Sequence, residues 1–338
     1  MDIQKILKDD IQFLAVTSLR VEEFEELLVP FTERWQNYFK HYKLRGTRRK
    51  TPLTAKQLAS GTKKLSGSVE KLFFILYFFK NHHLQQSLSA QFDMKQSQIS
   101  RWIKALMPIL EKSIKDLHLQ PARDMDELVR LFRNRQREDN LSNCEPSTSL
   151  HLDATEREKT RSTDYETQKH DFSGKQHRHT LKNSVISDES QFIHFAGFTF
   201  RGAIHDKAMI EQEIPDLDCL KAYALWFSKD KGYQGYEPSA VQLLDPFKAA
   251  RNRPLADWQK KFNTIISSIR VTAEHAIGGV KRCKLVSEKL RYRTATFSDQ
   301  VFNIACGLHN LRATRRKETY APYAARLRAR INLNFQPT

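Results

Sequence analysis

Apolar residues recur every three or four positions as far as Arg137, alternate with polar ones after Pro146, and return to helical spacing beyond Pro254. Residues 1–42 read as two helical segments. The second, from Val21 to Tyr42, lines up Phe24, Leu27, Leu28, Phe31, Trp35 and Phe39 on one face. Val69 to Phe79 holds the unbroken apolar run Leu72–Phe79, which predicts a buried helix. Gln85–Phe92 follows as a short helix, Asp93-Met94 as a turn and Gln96–Leu106 as a third helix, with Leu88, Phe92, Ile99 and Ile103 inward. Asp93 stands where the turn needs a residue tolerant of left-handed geometry. Asp124–Arg137 makes a charged helix.

In Leu150–Thr155 the period becomes two: Leu150, Leu152 and Ala154 point one way, His151, Asp153 and Thr155 the other. Gln176–Ser187 and Phe192–Arg201 read as further strands joined at Asp188–Ser190, and Asp206–Glu213 as a short helix. Ala222–Ser228 is apolar enough for a central strand and runs into Asp230, and Val241–Phe247 is a fifth strand. A long helix opens near Pro254 with Leu255, Trp258, Phe262, Ile265, Ile269, Ala273, Ala276 and Val280 as its apolar stripe. At about 100° per residue, Arg270, Glu274 and Lys281 align within roughly 40° as a second, charged stripe. An ordinary solvated salt bridge would also account for the first two, and Gly278 and Gly279 weaken the helix before the third. Three strands, a helix, two strands and a helix predict an α/β domain with a mixed five-stranded sheet in ribonuclease H-like order. An all-α segment containing the helix-turn-helix pattern stands ahead of it.

Charge changes the picture. Fifty-six Lys and Arg against 39 Asp and Glu give a net +17 over 338 residues and a pI near 9.7, and the cations cluster, which points to a polyanionic partner. Cys144, Cys219, Cys283 and Cys306 have no metal-ligand spacing and read as reduced thiols. Met1–Arg20 lacks a secretory pattern and Leu72–Phe79 is too short to span a bilayer, so a cytoplasmic, nucleoid-associated protein with no membrane partner is expected.

Three carboxylates stand at meaningful places: Asp153 in the first strand, Asp230 at the end of the fourth, and Glu274 on the long helix. In a ribonuclease H-like sheet the first and fourth strands are neighbours, so the aspartates would meet and the helix could deliver the glutamate. Clustered carboxylates repel unless cations neutralise them, and hard oxygen donors suit two ions of Mg²⁺ or Mn²⁺.

The runs His151-Leu-Asp-Ala-Thr-Glu-Arg, Asp164-Tyr-Glu-Thr-Gln-Lys, Phe172-Ser-Gly-Lys and His179-Thr-Leu-Lys-Asn resemble the start of a DDE transposase catalytic domain. Ile204-His-Asp-Lys, Asp230-Lys-Gly-Tyr-Gln-Gly, Glu274-His-Ala-Ile-Gly-Gly-Val-Lys and Gly307-Leu-His-Asn-Leu-Arg continue it in order, over roughly Leu150 to Arg315. The resemblance is to bacterial insertion-sequence transposases of the insertion-sequence-five type. It implies that Asp153, Asp230 and Glu274 are the catalytic, metal-binding triad. Arg270, Glu274 and Lys281 match the Arg, Glu and Lys of a Tyr-Arg-Glu-Lys signature, whereas Ser267 stands where Tyr is expected. Arg270 and Lys281 are expected on DNA phosphates. The helix-turn-helix would offer Ser97, Gln98, Ser100, Arg101 and Lys104 to the major groove, unless those helices are only a packing module. Asp164, Asp206 and Asp245 could support the site, although turn or cap positions suit each better, and His205 and His275 suit structural or phosphate-facing positions rather than metal ligation.

The domains expected are a helical segment with basic linker (1–50), a helix-turn-helix domain (51–137), a linker (138–149), the catalytic domain (150–315) and a basic tail (316–338). That tail is either a DNA clamp or a solvated end. The function implied is transposition: binding the terminal inverted repeats of an element in double-stranded DNA, metal-dependent cleavage, and strand transfer, carried out by a homodimer. A catalytically silent DNA-binding descendant and a stand-alone nuclease are the alternatives.

Overall fold

A computed structural model describes residues 2–59, 64–141, 149–249, 254–292 and 294–334. The chain forms two compact units, Met1–Gln120 with Lys281–Lys289 and Thr296–Arg312, and Pro121–Val280 with Leu290–Ala295 and Ala313–Thr338.

The first unit opens with α1 (Ile3–Leu7), α2 (Asp10–Thr17) and α3 (Val21–His41), so residues 1–42 hold three helices where two were expected. Asp2 and Asp9 explain the extra break: each carboxylate caps a helix, accepting from the N–H of Lys5 at 3.1 Å and of Gln12 at 2.9 Å. Then come α4 (Ala55–Ala59), α5 (Ser68–Asn81), α6 (Gln85–Gln91) and α7 (Gln96–Asp116). Helix α5 is buried from Lys71 to Phe79, as its unbroken apolar run predicts. Asp93 takes φ +49° in the turn between α6 and α7. Leu88, Ile99 and Ile103 are buried, and half-buried Phe92 meets Phe74 edge-on at 5.0 Å. Helix α7 runs ten residues past its expected end at Leu106, because Met107, Ile109, Leu110 and Ile114 keep burying the same side.

The second unit begins with α8 (Met125–Leu141), then β1 (Ser149–Glu158), α9 (Tyr165–Asp171), β2 (Phe172–Ser173), β3 (Arg178–Asp188), β4 (Ile193–Ala196), β5 (Phe200–Arg201) and α10 (Asp206–Glu213). A 3-10 turn (Asp218–Tyr223), β6 (Trp226–Lys229), a second 3-10 turn (Lys231–Tyr233), β7 (Gln242–Leu243) and α11 (Asp257–Val280) follow. After α12 (Lys284–Ser287) and α13 (Ala295–Arg315), α14 (Lys317–Asn334) ends the described chain.

The sheet is mixed and seven-stranded, in the order β2-β3-β1-β6-β7, with β4 and β5 also pairing β3. Two more strands are present than expected. Phe192–Arg201 divides into β4 and β5, and β2 pairs Phe172 with His179 where no strand was predicted. The expected fourth strand shortens to β6 because Asp218–Tyr223 coils into a 3-10 turn, and the fifth shrinks to the two residues of β7. The central prediction stands: β1 lies antiparallel to β3 and parallel to β6.

Alternation along β1 sorts the two faces. Leu150 and Leu152 join Ile186 and Phe227 under Leu128 and Phe132 of α8, Ile210 of α10 and Ile214 just beyond it. The opposite face, with Trp226, lies under α11 and α14, where Ile266 and Ile269 pack with Leu327 and Ile331. Helix α11 starts at Asp257 and continues through Gly278 and Gly279; Ile269, Ala273, Ala276 and Val280 are buried as expected, whereas Trp258 is 60% exposed and off the stripe.

These burials shift the domain boundaries. Helix α8 packs on the sheet, so the division falls at Gln120/Pro121, ahead of the expected linker, of which 142–148 lie outside the described residues. The segments Lys281–Lys289 and Thr296–Arg312 belong with the N-terminal helices, although the sequence pattern assigned them to the catalytic domain. The basic tail is a docked helix rather than a solvated end. The Arg328 guanidinium donates to Glu189 at 2.8 Å, and Glu189 is fully buried at the β3–β4 turn and also accepts from the Ser149 N–H at 3.2 Å and hydroxyl at 3.0 Å. Cys219, Cys283 and Cys306 are free thiols, as expected; Cys144 lies outside the described residues. No helix of the described residues is long and apolar enough to cross a membrane.

Truncating one member of a buried ion pair leaves the other charge without compensation. Arg328→Ala is therefore expected to lower stability by about 3 kcal/mol, reduced by whatever Ser149 still supplies to Glu189. A urea-unfolding midpoint indistinguishable from that of the parent would show that α14 is not anchored this way.

Candidate active site

Parallel pairing of β1 and β6 matches Leu150 with Phe227 and Leu152 with Lys229. One step further along the same register brings Asp153 opposite Asp230. Asp153 is half-buried in the middle of β1, paired across β3 with Val185, and its Oδ1 accepts from the Ala154 N–H at 2.7 Å. Asp230 leaves β6 as the extended residue ahead of the Lys231–Tyr233 turn. Glu274 is exposed on α11, the helix that crosses the face of β1 to which Asp153 points.

Asp153 feels the other two carboxylates. Burial first, with Asp230 and Glu274 adding to it, pushes the Asp153 carboxyl up to about 6 against the opposing Ala154 N–H and Arg270 guanidinium. Arg270, one turn before Glu274, forms a close charge-assisted hydrogen bond to Asp230. It is the cation that now faces Asp230.

Around the carboxylates runs a network whose lysines, Lys182 and Lys229, sequence reasoning gave no role. Lys182 on β3 is almost fully buried, 3.0 Å from Asp206, 3.5 Å from Glu156, and donating to the Ile204 carbonyl at 3.1 Å. A Cβ on Gly232 would sit 2.5 Å from the Asp206 carboxylate, so the turn after Asp230 approaches that carboxylate as only glycine permits. Buried Lys229, beside Asp230, pairs with Asp245 at 2.8 Å. Opposite charges at Glu156 and Lys182 were visible in the sequence, but only the β1–β3 register makes them partners. His151 bridges β1 to β6 through Ser228 Oγ at 2.8 Å; burial pushes it down to about 4, which leaves it neutral.

The other expected residues are distributed as follows. Asp164 caps α9, accepting from the Thr167 N–H at 2.8 Å; Asp206 and Asp245 hold Lys182 and Lys229, so both brace the site rather than cap a helix. His205 caps α10, and the exposed His275 ring lies 5.7 Å from Tyr323. Lys281 falls outside the charged stripe: α11 ends at Val280, and Lys281 is exposed in the turn beyond it and belongs to the first unit. Ser267 is exposed on α11. On α7, Ser97 and Lys104 are exposed, and Ser100 and Arg101 half-buried. The Gln98 side chain is turned back to its own helix start, where Oε1 accepts from the Lys95 N–H at 2.9 Å.

Residues 152–310 match the family described as DDE superfamily endonuclease. Over 145 residues the chain is 31% identical to the probable transposase for insertion sequence element IS702 of Microchaete diplosiphon, an overlap covering 42% of this chain and 50% of that protein. The chain thus spans about half the length of the curated relative it matches. No solved structure matches it. Through residues 152–310, the stretch that holds Asp153, Asp230 and Glu274, the chain is thus similar to the DDE superfamily endonucleases.

Proposed function

We propose that this chain is a cut-and-paste DNA transposase whose triad is Asp153, Asp230 and Glu274. The observation that carries the proposal is the electrostatic coupling of three carboxylates from β1, the end of β6 and α11 in a half-buried site. That cluster is unfavourable without cations.

The donor set fits hard divalent cations. All three donors are oxygens, and two of them raise the proton affinity of the third. Among the described residues, however, no group of three or more His, Cys, Asp or Glu stands close enough to hold a metal as the side chains lie. Loading requires Arg270 to release Asp230, which frees that guanidinium for a phosphate. Asp153, Asp230 and Glu274 would then hold two ions of Mg²⁺ or Mn²⁺, which when bound activate the attacking oxygen and stabilise the leaving one. The chain's own part is to fix the donors on sheet and helix, brace the Asp230 turn through Lys182 and Asp206, and seat the strand with Arg270. Lys281 is a further phosphate contact.

The α6–α7 pair suits recognition of element ends in double-stranded DNA. Ser97, Ser100, Arg101 and Lys104 lie on one end of α7, with Gln98 available once it leaves its cap. A net charge of +17 supplies salt-sensitive affinity for the backbone. Holding two ends together calls for a homodimer.

A labelled duplex bearing the native element end tests the proposal. With Mn²⁺ the parent protein is expected to nick and join it. Asp153→Asn, Asp230→Asn and Glu274→Gln should each lower the rate by about a thousandfold or more without weakening binding. A parent protein that binds but never cuts would instead be a silent DNA-binding descendant, and one that cuts without joining a nuclease.

The raised Asp153 carboxyl adds a test that needs no DNA. Because its folded value lies near 6, above the ordinary carboxylate range, the folded protein holds the extra proton between about pH 4 and 6. Stability falls as pH rises through that window, and the destabilisation persists at pH 7. Asp153→Asn removes it, so in metal-free buffer the variant should melt several degrees above the parent at pH 7.5 and close to it near pH 4.5, a difference on the order of 2 kcal/mol. Mn²⁺ should then raise the melting temperature of the parent more than that of the variant. Equal melting at both pH values would overturn the coupling.

A further inference from the structure

The C-terminal helix forms more than a lid on the sheet. Between α11 and α14 lies a cleft of about 170 Å³ lined by Ser268, Tyr323, Arg326, Leu327 and Arg330. Two arginines, a serine and a tyrosine line it, and no carboxylate is among its described lining residues. We propose that this cleft holds one phosphate of the DNA backbone, a second grip on the strand separate from the carboxylate site. It rests on the transposase assignment above and names a contact that assignment leaves open.

Size selects the ligand class. Pockets for drug-sized molecules run from about 300 Å³ upward, so this cleft falls below that range and has room for a single phosphate. Its charge points the same way. Arg326 and Arg330 are four residues apart on one helix, so both side chains reach the same side of it, where an anion meets two positive charges. Two planar forks also match the paired oxygens of a phosphodiester.

The cleft is built rather than incidental. Ser268 uses its proton on the Ile265 carbonyl at 2.6 Å and accepts from Arg330 at 2.6 Å, which aims that guanidinium. Arg326 Nε donates to the Pro322 carbonyl of its own helix at 3.2 Å. Tyr323 lies 3.3 Å from the Thr272 hydroxyl, tying the α14 wall to α11. Buried Leu327 closes the floor, and the Arg328–Glu189 pair holds the helix down without using either cleft arginine.

Its place on α11 separates it from the carboxylates. Ser268 precedes Arg270 by two residues, about 200° around the helix, and Glu274 by six, about 9 Å along the axis. A strand seated at Arg270 therefore needs a different phosphate to reach the cleft.

The test is duplex binding by the full chain over a salt series, followed by fluorescence anisotropy on an element-end duplex and a random one. Arg326→Gln combined with Arg330→Gln should lower the slope of log affinity against log salt by about one and weaken binding about tenfold on both duplexes alike. Arg326→Lys with Arg330→Lys, which keeps the charge and guards against misfolding, should retain the slope while losing part of the affinity. An unchanged slope in the Gln pair, with a parent-like melting temperature, overturns the proposal. Calorimetric titration with inorganic phosphate separates the sources: phosphate binding lost in the Gln pair while the DNA slope is unchanged would make this a free-anion site, and the strand contact would fall. A reduced slope in a protein that never cuts keeps the cleft and overturns the transposase assignment; cutting with an unchanged slope does the reverse.

Discussion

Parallel pairing between β1 and β6 is the constraint on which the candidate site depends. These strands lie far apart in the chain, and their register, Leu152 against Lys229, sets Asp153 beside Asp230. Side chains alternate with period two, so a one-residue slip would turn Asp153 towards Leu128 and Phe132 and expose Leu152 to α11. The slip is opposed from both faces. Leu150, Leu152 and Phe227 bury under α8 and α10, while Ile266 and Ile269 bury with α14 on the other side. Packing thus holds the acid cluster in place, and the cluster itself works against folding.

That opposition shows in the electrostatics. Burial and two neighbouring carboxylates raise Asp153, and a backbone N–H and the Arg270 guanidinium work in the other direction. Arg270 also faces Asp230, so one cation serves two acids. Around this centre, Lys182 and Lys229 are buried with their own acidic partners, and the Asp206 carboxylate leaves room only for glycine at position 232. On the proposed function, these paired supporting charges would brace the carboxylates offered to a cation.

The last helix belongs to the same design. Arg328 reaches the buried Glu189, Leu327 and Ile331 pack on α11, and the remaining arginines line an open cleft. Within one basic stretch, then, one cation anchors the helix while others face solvent. Charge alone does not distinguish those roles; the helical phase of each residue against α11 does.

Local pattern was enough for much of this protein. The change of period after Pro146 marked the strands, the apolar run from Leu72 to Phe79 marked a buried helix, Asp93 marked a turn, and the carboxylates at Asp153, Asp230 and Glu274 stood out by position and by resemblance. These features depend on residues close in sequence, where backbone period and steric preference act directly. Tertiary structure decided the rest. It placed α8 on the sheet and the Lys281–Lys289 and Thr296–Arg312 segments with the N-terminal helices, split one strand into β4 and β5, ended α11 before Lys281, and gave Lys182 its partners. Each of those outcomes depends on burial against an element distant in sequence, which no local period encodes.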